Sequence, residues 1–261
     1  MLDQITPLIL TFNEAPNIGR ALDRLVWARD VVVIDSYSSD DTLAIIRRYP
    51  NARVFQRMFD DHARQWNYGL TETTIATDWV LALDADYIVT DHFLREVRTL
   101  VPEEGVGGYR VKFRYCIDGK PLRAAVYPPV VSLYRRKSAE YLRDGHTQRI
   151  RLGGIVLDLK SPILHDDRKS LQRWLQAQSR YMQLEAEKLR TLRYSELPIQ
   201  DRLRKLICIA PLMMFFYCMI VKGNILDGRA GLFYALQRSV AEGILSLYLL
   251  RALLILEQDV K

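Results

Sequence analysis

Asp84 and Asp86 stand one residue apart in WVLALDADYIV, just beyond a hydrophobic stretch, Trp79 to Leu83, that reads as a strand. Ligands of open α/β sheets bind beyond the carboxyl ends of the strands. Two acids spaced Asp-x-Asp on an extended backbone project to the same side, so they could share one divalent cation or divide a ribose and a metal between them. That chemistry suits a nucleoside diphosphate. A bare Asp-x-Asp also ends many strands that simply turn toward solvent, so other motifs must decide.

Two further strand ends bring polar groups to the same edge. The first strand ends in LTFNEAPNI, with Thr11, Asn13 and Glu14 at its tip, and the second in VVVIDSYSSDDT, with Asp35 at its tip. A carboxylate at Asp35 could accept a hydrogen bond from a pyrimidine N3–H, while backbone groups after Thr11 hold the base from its other edge. Asp40 and Asp41 read more simply as turn and N-cap residues.

The elements that must position these groups alternate in type. Strands are predicted at Thr6–Phe12, Val31–Ile34, Arg53–Gln56 and Trp79–Leu83, with helices near Ile18–Trp27, Thr42–Tyr49 and Asp61–Thr73 between them. Such alternation implies parallel pairing through βαβ units. Beyond Pro102, strands are expected at Gly108–Cys116, Val130–Tyr134 and Arg149–Leu159, as an antiparallel extension walling the acceptor side. Lys169–Arg193 reads as a helix with Leu171, Leu175, Met182 and Leu189 on one face.

Charge is unevenly placed. Residues 1–100 carry 10 Lys and Arg against 15 Asp and Glu, whereas the remainder carries 27 against 16. A basic second part suggests a polyanionic partner, and the absence of zinc-finger, helix-turn-helix or aromatic RNA-binding motifs argues against nucleic acid. Two apolar runs, Ile207–Val221 and Ile244–Leu256, fall short of the roughly 20 residues that a membrane span needs. With Arg202, Arg204 and Lys205 before the first run and Lys222 after it, they suit monotopic attachment to an anionic membrane surface; a buried helical hairpin is the plainer reading. Cys116, Cys208 and Cys218 read as reduced packing residues, and MLDQITPLIL lacks the features of a signal peptide.

The set LTFNE, IDSYSSDDT, HARQWNYGL and WVLALDADYIV, spanning about the first 90 residues, resembles the family 2 glycosyltransferases with a GT-A fold. The segments RDGHTQRI, PILHDDRKSLQRWL and VKGNILDGRAG resemble, more loosely, the bacterial branch related to lipopolysaccharide core β-1,4-glucosyltransferases. The resemblance implies inverting transfer from a nucleotide sugar, with a UDP-sugar favoured. Asp35 would lie at the base, Asp84 near ribose or metal, and Asp86 on Mg²⁺ or Mn²⁺. Arg64 and Asn67 match positions that approach the donor diphosphate or sugar; His165 matches one placed against the metal or diphosphate.

Inversion needs a general base within hydrogen-bond reach of the acceptor hydroxyl. Asp144 in RDGHTQ is the first candidate and His146 the competing one; the neighbouring Gln148, where many relatives carry a His-Glu pair, cannot serve. Asp144 and Gly145 could equally form only a hairpin turn. The expected organisation is a GT-A, mostly parallel sheet flanked by helices over residues 1–168, with residues 1–100 for the donor and 101–168 for the acceptor. A helical region, 169–261, would follow. The enzyme would work at the cytoplasmic face of the inner membrane on a lipid-linked or cell-surface glycan acceptor. Two alternatives compete: a haloacid-dehalogenase-like phosphatase using Asp84 as nucleophile, and a non-catalytic nucleotide-sugar binding module. The phosphatase leaves the LTFNE and IDSYSSDDT tips without a task and expects its Asp-x-Asp on the first strand.

Overall fold

The computed structural model describes residues 1–144 and 147–259. The chain divides into two compact units: Met1–Pro121 with Tyr127–Lys169, and Leu122–Val126 with the chain from Ser170 onward.

In the first unit β1 (Ile5–Thr11), α1 (Ile18–Asp23), β2 (Val31–Asp35), α2 (Thr42–Ile46), β3 (Ala52–Gln56), α3 (His62–Thr71) and β4 (Trp79–Asp84) alternate. They are followed by β5 (Tyr87–Ile88), α4 (Asp91–Thr99), β6 (Val106–Val111), β7 (Phe113–Ile117), β8 (Lys120–Pro121) and β9 (Val130–Arg135). The unit ends with β10 (Ala139–Asp144), β11 (Thr147–Leu152), β12 (Ile155–Asp158) and β13 (Ile163–His165). A seven-stranded sheet runs β12-β6-β9-β4-β1-β2-β3. Its strands β4, β1, β2 and β3 are mutually parallel.

Helices cover both faces of that sheet, which is why β2 is apolar and buried along its whole length up to Asp35. Alternate residues serve opposite cores. Ile9, Val31 and Val33 pack with Ile18, Leu22, Phe93 and Val97 on one side; Leu8, Val32 and Ile34 pack with Ala63, Trp66 and Leu70 of α3 on the other. Gly69 brings α3 close to β1: a Cβ there would lie 2.8 Å from the Leu8 side chain.

The later strands differ from expectation. The stretch expected as one strand from Gly108 to Cys116 breaks at Lys112, with β6 in the large sheet and β7 in a four-stranded sheet of order β5-β13-β7-β8. The stretch Arg149–Leu159 likewise breaks at Gly153 and Gly154, the latter at φ 93°, where the chain passes from the β10–β11 hairpin to β12. Nor is the extension simply antiparallel. β9 is antiparallel to β4 and β6, but β12 is parallel to β6 and β13 parallel to β7. Helix α4 carries little apolar periodicity, because only Phe93 and Val97 of its nine residues are buried. Its legible signal is the Thr90 N-cap, whose hydroxyl accepts from the Phe93 amide.

The second unit contains α5 (Leu171–Thr191), α6 (Ile199–Arg204), α7 (Ile209–Phe216), a π-helical turn (Tyr217–Val221) and α8 (Arg229–Asp259). Met182, Ala186 and Leu189 of α5 pack with Leu245 and Leu249 of α8. The apolar face predicted for α5 is therefore buried only in its second half: Leu171 and Leu175 are 52% and 40% exposed. Cys208 is exposed as well, so only Cys116 and Cys218 are packing residues.

This unit buries acids. Glu185, Asp201 and Glu242 converge on Arg204, whose guanidinium lies 2.8 Å from Glu242 and 3.0 Å from Glu185. Asp227 and Asn224, also buried, hold the Leu122–Val126 segment by accepting from the Arg123 amide and donating to the Ala124 carbonyl. Among the described residues no helix is long and apolar enough to cross a membrane.

Candidate active site

Parallel pairing sets the strand tips side by side, with Thr11 opposite Asp35 and Leu10 opposite Asp84. Asp35 is fully buried, and its two oxygens accept from Thr11 Oγ1 (3.1 Å), Ser38 N (3.0 Å), Ser38 Oγ (2.5 Å) and Gln56 Nε2 (3.1 Å). A carboxylate has about four acceptor positions. The oxygens expected to receive a base N–H thus receive four protein donors, and Asp35 with Thr11 fixes the loop that follows β2. Asn13, at φ 55°, completes that loop: its amide donates to Ser38 Oγ and its Oδ1 accepts from the Ser39 and Asp40 amides. Asp40 accepts from the Ala15 and Thr42 amides, tying the two tips together.

Glu14 faces a cation that the sequence reading assigned to no site. Lys169 Nζ lies 2.6 Å from Glu14 Oε1 and 3.6 Å from Asp167, while Asn17 Nδ2 donates to both Glu14 and Asp167. Burial pushes the Glu14 carboxyl up to about 7 against the pull of Lys169. Burial works against the charge on Lys169, but Glu14, Asp86 and Asp167 outweigh it and hold the ammonium protonated. Next to this pair, Asp166 is clasped by Arg20 and Arg168. Asn17 and Lys169 thus tie the segment after β13 to the loop after β1, and Arg20 ties it to α1, while Arg168 pairs within the segment.

Asp84 closes β4, and Ala85 and Asp86 form a turn into β5. The two acids are therefore related by a turn rather than by strand alternation, and their surroundings differ. Asp84 is exposed, and desolvation by the surrounding protein and then the Asp86 charge raise its pKa. Asp86 is buried, which alone would raise its pKa, but His165 and Lys169 overcome this and hold it below the usual carboxylate range.

His165 arrives from the far end of the unit. β13 pairs with β5, His165 opposite Tyr87, and with β7, His165 opposite Tyr115. This register sets His165 Nε2 3.3 Å from Asp86 Oδ2. Tyr87 and Tyr115 meet the imidazole edge-on at 5.0 and 4.8 Å, and Tyr127 stacks on Tyr115 at 5.6 Å. Burial disfavours the imidazolium, yet the neighbouring carboxylates, Asp86 foremost, raise the His165 pKa.

The remaining candidates separate. Asn67 staples α3 to β10: its Nδ2 donates to the Tyr141 carbonyl (2.8 Å) and its Oδ1 accepts from the Tyr141 amide (2.9 Å). Its amide is engaged in holding the fold rather than turned to a donor. Arg64 lies largely exposed on α3, paired with Asp60 and Asp61. At the end of β9, Arg135 lies over the Trp79 ring; just beyond it Arg136 donates to the Leu70 carbonyl and Lys137 is exposed. Asp144 ends β10, its backbone paired with that of Thr147 on β11. The side chain of Asp144, and His146 altogether, lie outside the described residues.

The model of the family described as Glycosyl transferase family 2 matches residues 8–157. An uncharacterized glycosyltransferase of Rickettsia felis is 27% identical over 146 residues, 54% of this chain and 50% of that protein. The lipopolysaccharide core biosynthesis glycosyltransferase LpsC of Rhizobium meliloti is 26% identical over 121 residues, 44% of each chain. The chain thus spans about half the length of the curated relatives it matches. Among solved structures, S. aureus TarS 1-349 in complex with UDP-GlcNAc superposes with a TM-score of 0.50 at 13% identity, over 94% of this chain and 89% of that one. That likeness is one of fold, and the fold is GT-A. With the family match covering more than half of the sequence, and with acids at the carboxyl ends of parallel strands, the chain belongs to glycosyl transferase family 2.

Proposed function

We propose that this chain transfers a hexose with inversion from a nucleoside-diphosphate sugar, a UDP-sugar by preference, to a lipid-linked or lipopolysaccharide-type glycan acceptor. It would act at the cytoplasmic face of the inner membrane. The observation that carries the reading is the meeting of Asp86 and His165, 3.3 Å apart, beside the open Asp84 at the edge where β1, β2 and β4 end together. Among the described residues no three metal-ligating side chains converge. The donor set nevertheless fits a divalent cation such as Mg²⁺ or Mn²⁺ completed by diphosphate oxygens. Asp86 and His165 supply one oxygen and one nitrogen, and the crowded negative charge on Asp84 and Asp86 is what such an ion relieves. When bound, the ion would neutralise charge on the departing diphosphate.

In this reading Asp84 contacts the ribose or the ion. The acceptor hydroxyl oxygen attacks the anomeric carbon as the bond from that carbon to the diphosphate breaks. The electron pair of that bond leaves with the nucleotide, and the hydroxyl proton passes to Asp144. Lys169, held charged beside Glu14 and near Asp86, adds positive potential to the diphosphate side. Nucleoside diphosphate release from a panel of nucleotide sugars, with and without Mn²⁺, tests the assignment. Equal turnover of every donor by wild type and Asp86→Ala, or binding of no donor by either, would overturn it.

A further inference from the structure

The outward face of the helical unit is apolar at helical spacing. Ile209, Leu212, Met213 and Phe216 of α7 are all exposed, at steps of three and four, and Ile220 continues the stripe through the π-helical turn at 68% exposed. The opposite side of that segment carries Ala210 and Cys218, which are buried. On α8 the exposed residues Leu232, Leu236, Val240, Leu247, Leu250 and Leu254 form a second stripe. Each helix thus shows water the side that a water-facing helix hides. Exposed apolar surface on this scale marks an interaction site.

Charge identifies what covers it. Between Arg202 and Ile255 there are seven Lys and Arg and two acids, Asp227 and Glu242. Both acids are buried, Asp227 against the Arg123 amide and Glu242 against Arg204. Among the described residues of this stretch the surface therefore presents cations and apolar groups but no carboxylate. Lys205, Lys222, Arg229 and Arg251 remain for an anionic partner, and Lys222 sits 5.5 Å over the Tyr217 ring, a cation and an amphipathic aromatic at one level. A second copy of the same surface would set cation against cation.

We propose that α7, the π-helical turn and α8 form a docking surface for an anionic phospholipid bilayer. Their apolar stripes enter the acyl boundary, their cations meet lipid phosphates, and no segment spans. This deepens the reading of a lipid-linked acceptor, but its test needs neither donor nor acceptor, so the two can fail separately.

The full chain is floated with vesicles of phosphatidylcholine alone or with about 30 mol% phosphatidylglycerol. The expected result is co-flotation with the anionic vesicles, weakened when salt rises from about 0.1 M to about 0.5 M. The double variant Phe216→Glu/Ile220→Glu should lower the bound fraction about tenfold or more. Lys222→Gln and Arg229→Gln should each lower binding to anionic vesicles alone, about fivefold. Circular dichroism and unchanged nucleotide release verify that these exposed variants fold. Binding that is indifferent to all four substitutions would overturn the proposal. So would a chain that ignores vesicles and forms, by light scattering, a dimer that the double variant dissociates.

Discussion

The two units differ in what they leave outside. The first hides its Val, Ile and Leu between sheet and helices and carries carboxylates to one strand edge, with Asp84 left open. The second hides Glu185, Asp201, Asp227 and Glu242 and turns Leu, Ile and Phe outward. Each buried acid there has a partner, as burial of charge requires. Burial is therefore a statement about the surrounding medium. Both units bury paired acids, Asp35, Asp86 and Asp166 in the first, so the difference lies in the apolar side chains: a unit that shows them in helical stripes has a surface for something other than water.

The comparison can be broken at four points. The largest effect is expected at the open edge: Asp86→Ala should lower kcat for nucleotide release by about 10³-fold while shifting the melting temperature little. Activity within tenfold of wild type would remove Asp86 from the chemistry. In the second unit, Glu242→Ala should cost about 3 kcal/mol in urea unfolding, since it leaves the Arg204 charge without its 2.8 Å partner. The pair Arg204→Leu/Glu242→Leu should not recover that loss, because it takes from buried Glu185 its 3.0 Å partner. If the single substitution proves neutral, the buried network does not support the unit.

Asn67→Ala is a smaller test, at about 1–2 kcal/mol, because two backbone groups of Tyr141 lose their partner. A higher donor KM at unchanged stability would return Asn67 to the donor. The smallest effect concerns pH. Glu14 has a folded-state pKa raised from 4.5 to about 7, so between these values the folded chain keeps a proton that the unfolded chain releases. Its stabilising contribution is complete below 4.5 and is lost as pH rises toward 7. Melting curves across that range should fall for wild type and flatten for Glu14→Gln; parallel curves would contradict the shift.

Residue order alone made the first hundred residues legible. β-branched runs followed by Ser, Asp and Asn tips announce parallel strands and their loops, and β1, β2, β3 and β4 lie where periodicity puts them to within a residue or two. Tertiary bonding hid the rest. Asp35 and Asn67 look like ligand-binding groups in sequence because nothing local shows that Ser38, Gln56 and the Tyr141 backbone already satisfy them. Lys169 stands far from the Glu14 it neutralises, and no spacing rule links the two. Glycine pairs and short strands defeat periodicity beyond Pro102, where a two-residue strand such as β8 leaves no repeat to read.

Strand β13 has one more consequence, for the order of events as the chain is made. The contacts that finish the acidic edge join Asn17 to Asp167 and Glu14 to Lys169, across 150 and 155 residues of sequence. A ribosome will have delivered the whole parallel sheet before His165 exists. The sheet gains most of its core early, while the site waits on a closure of long sequence separation, the slow kind. A nascent or truncated chain ending before Pro162 has the strands of a transferase and none of its completed acidic edge.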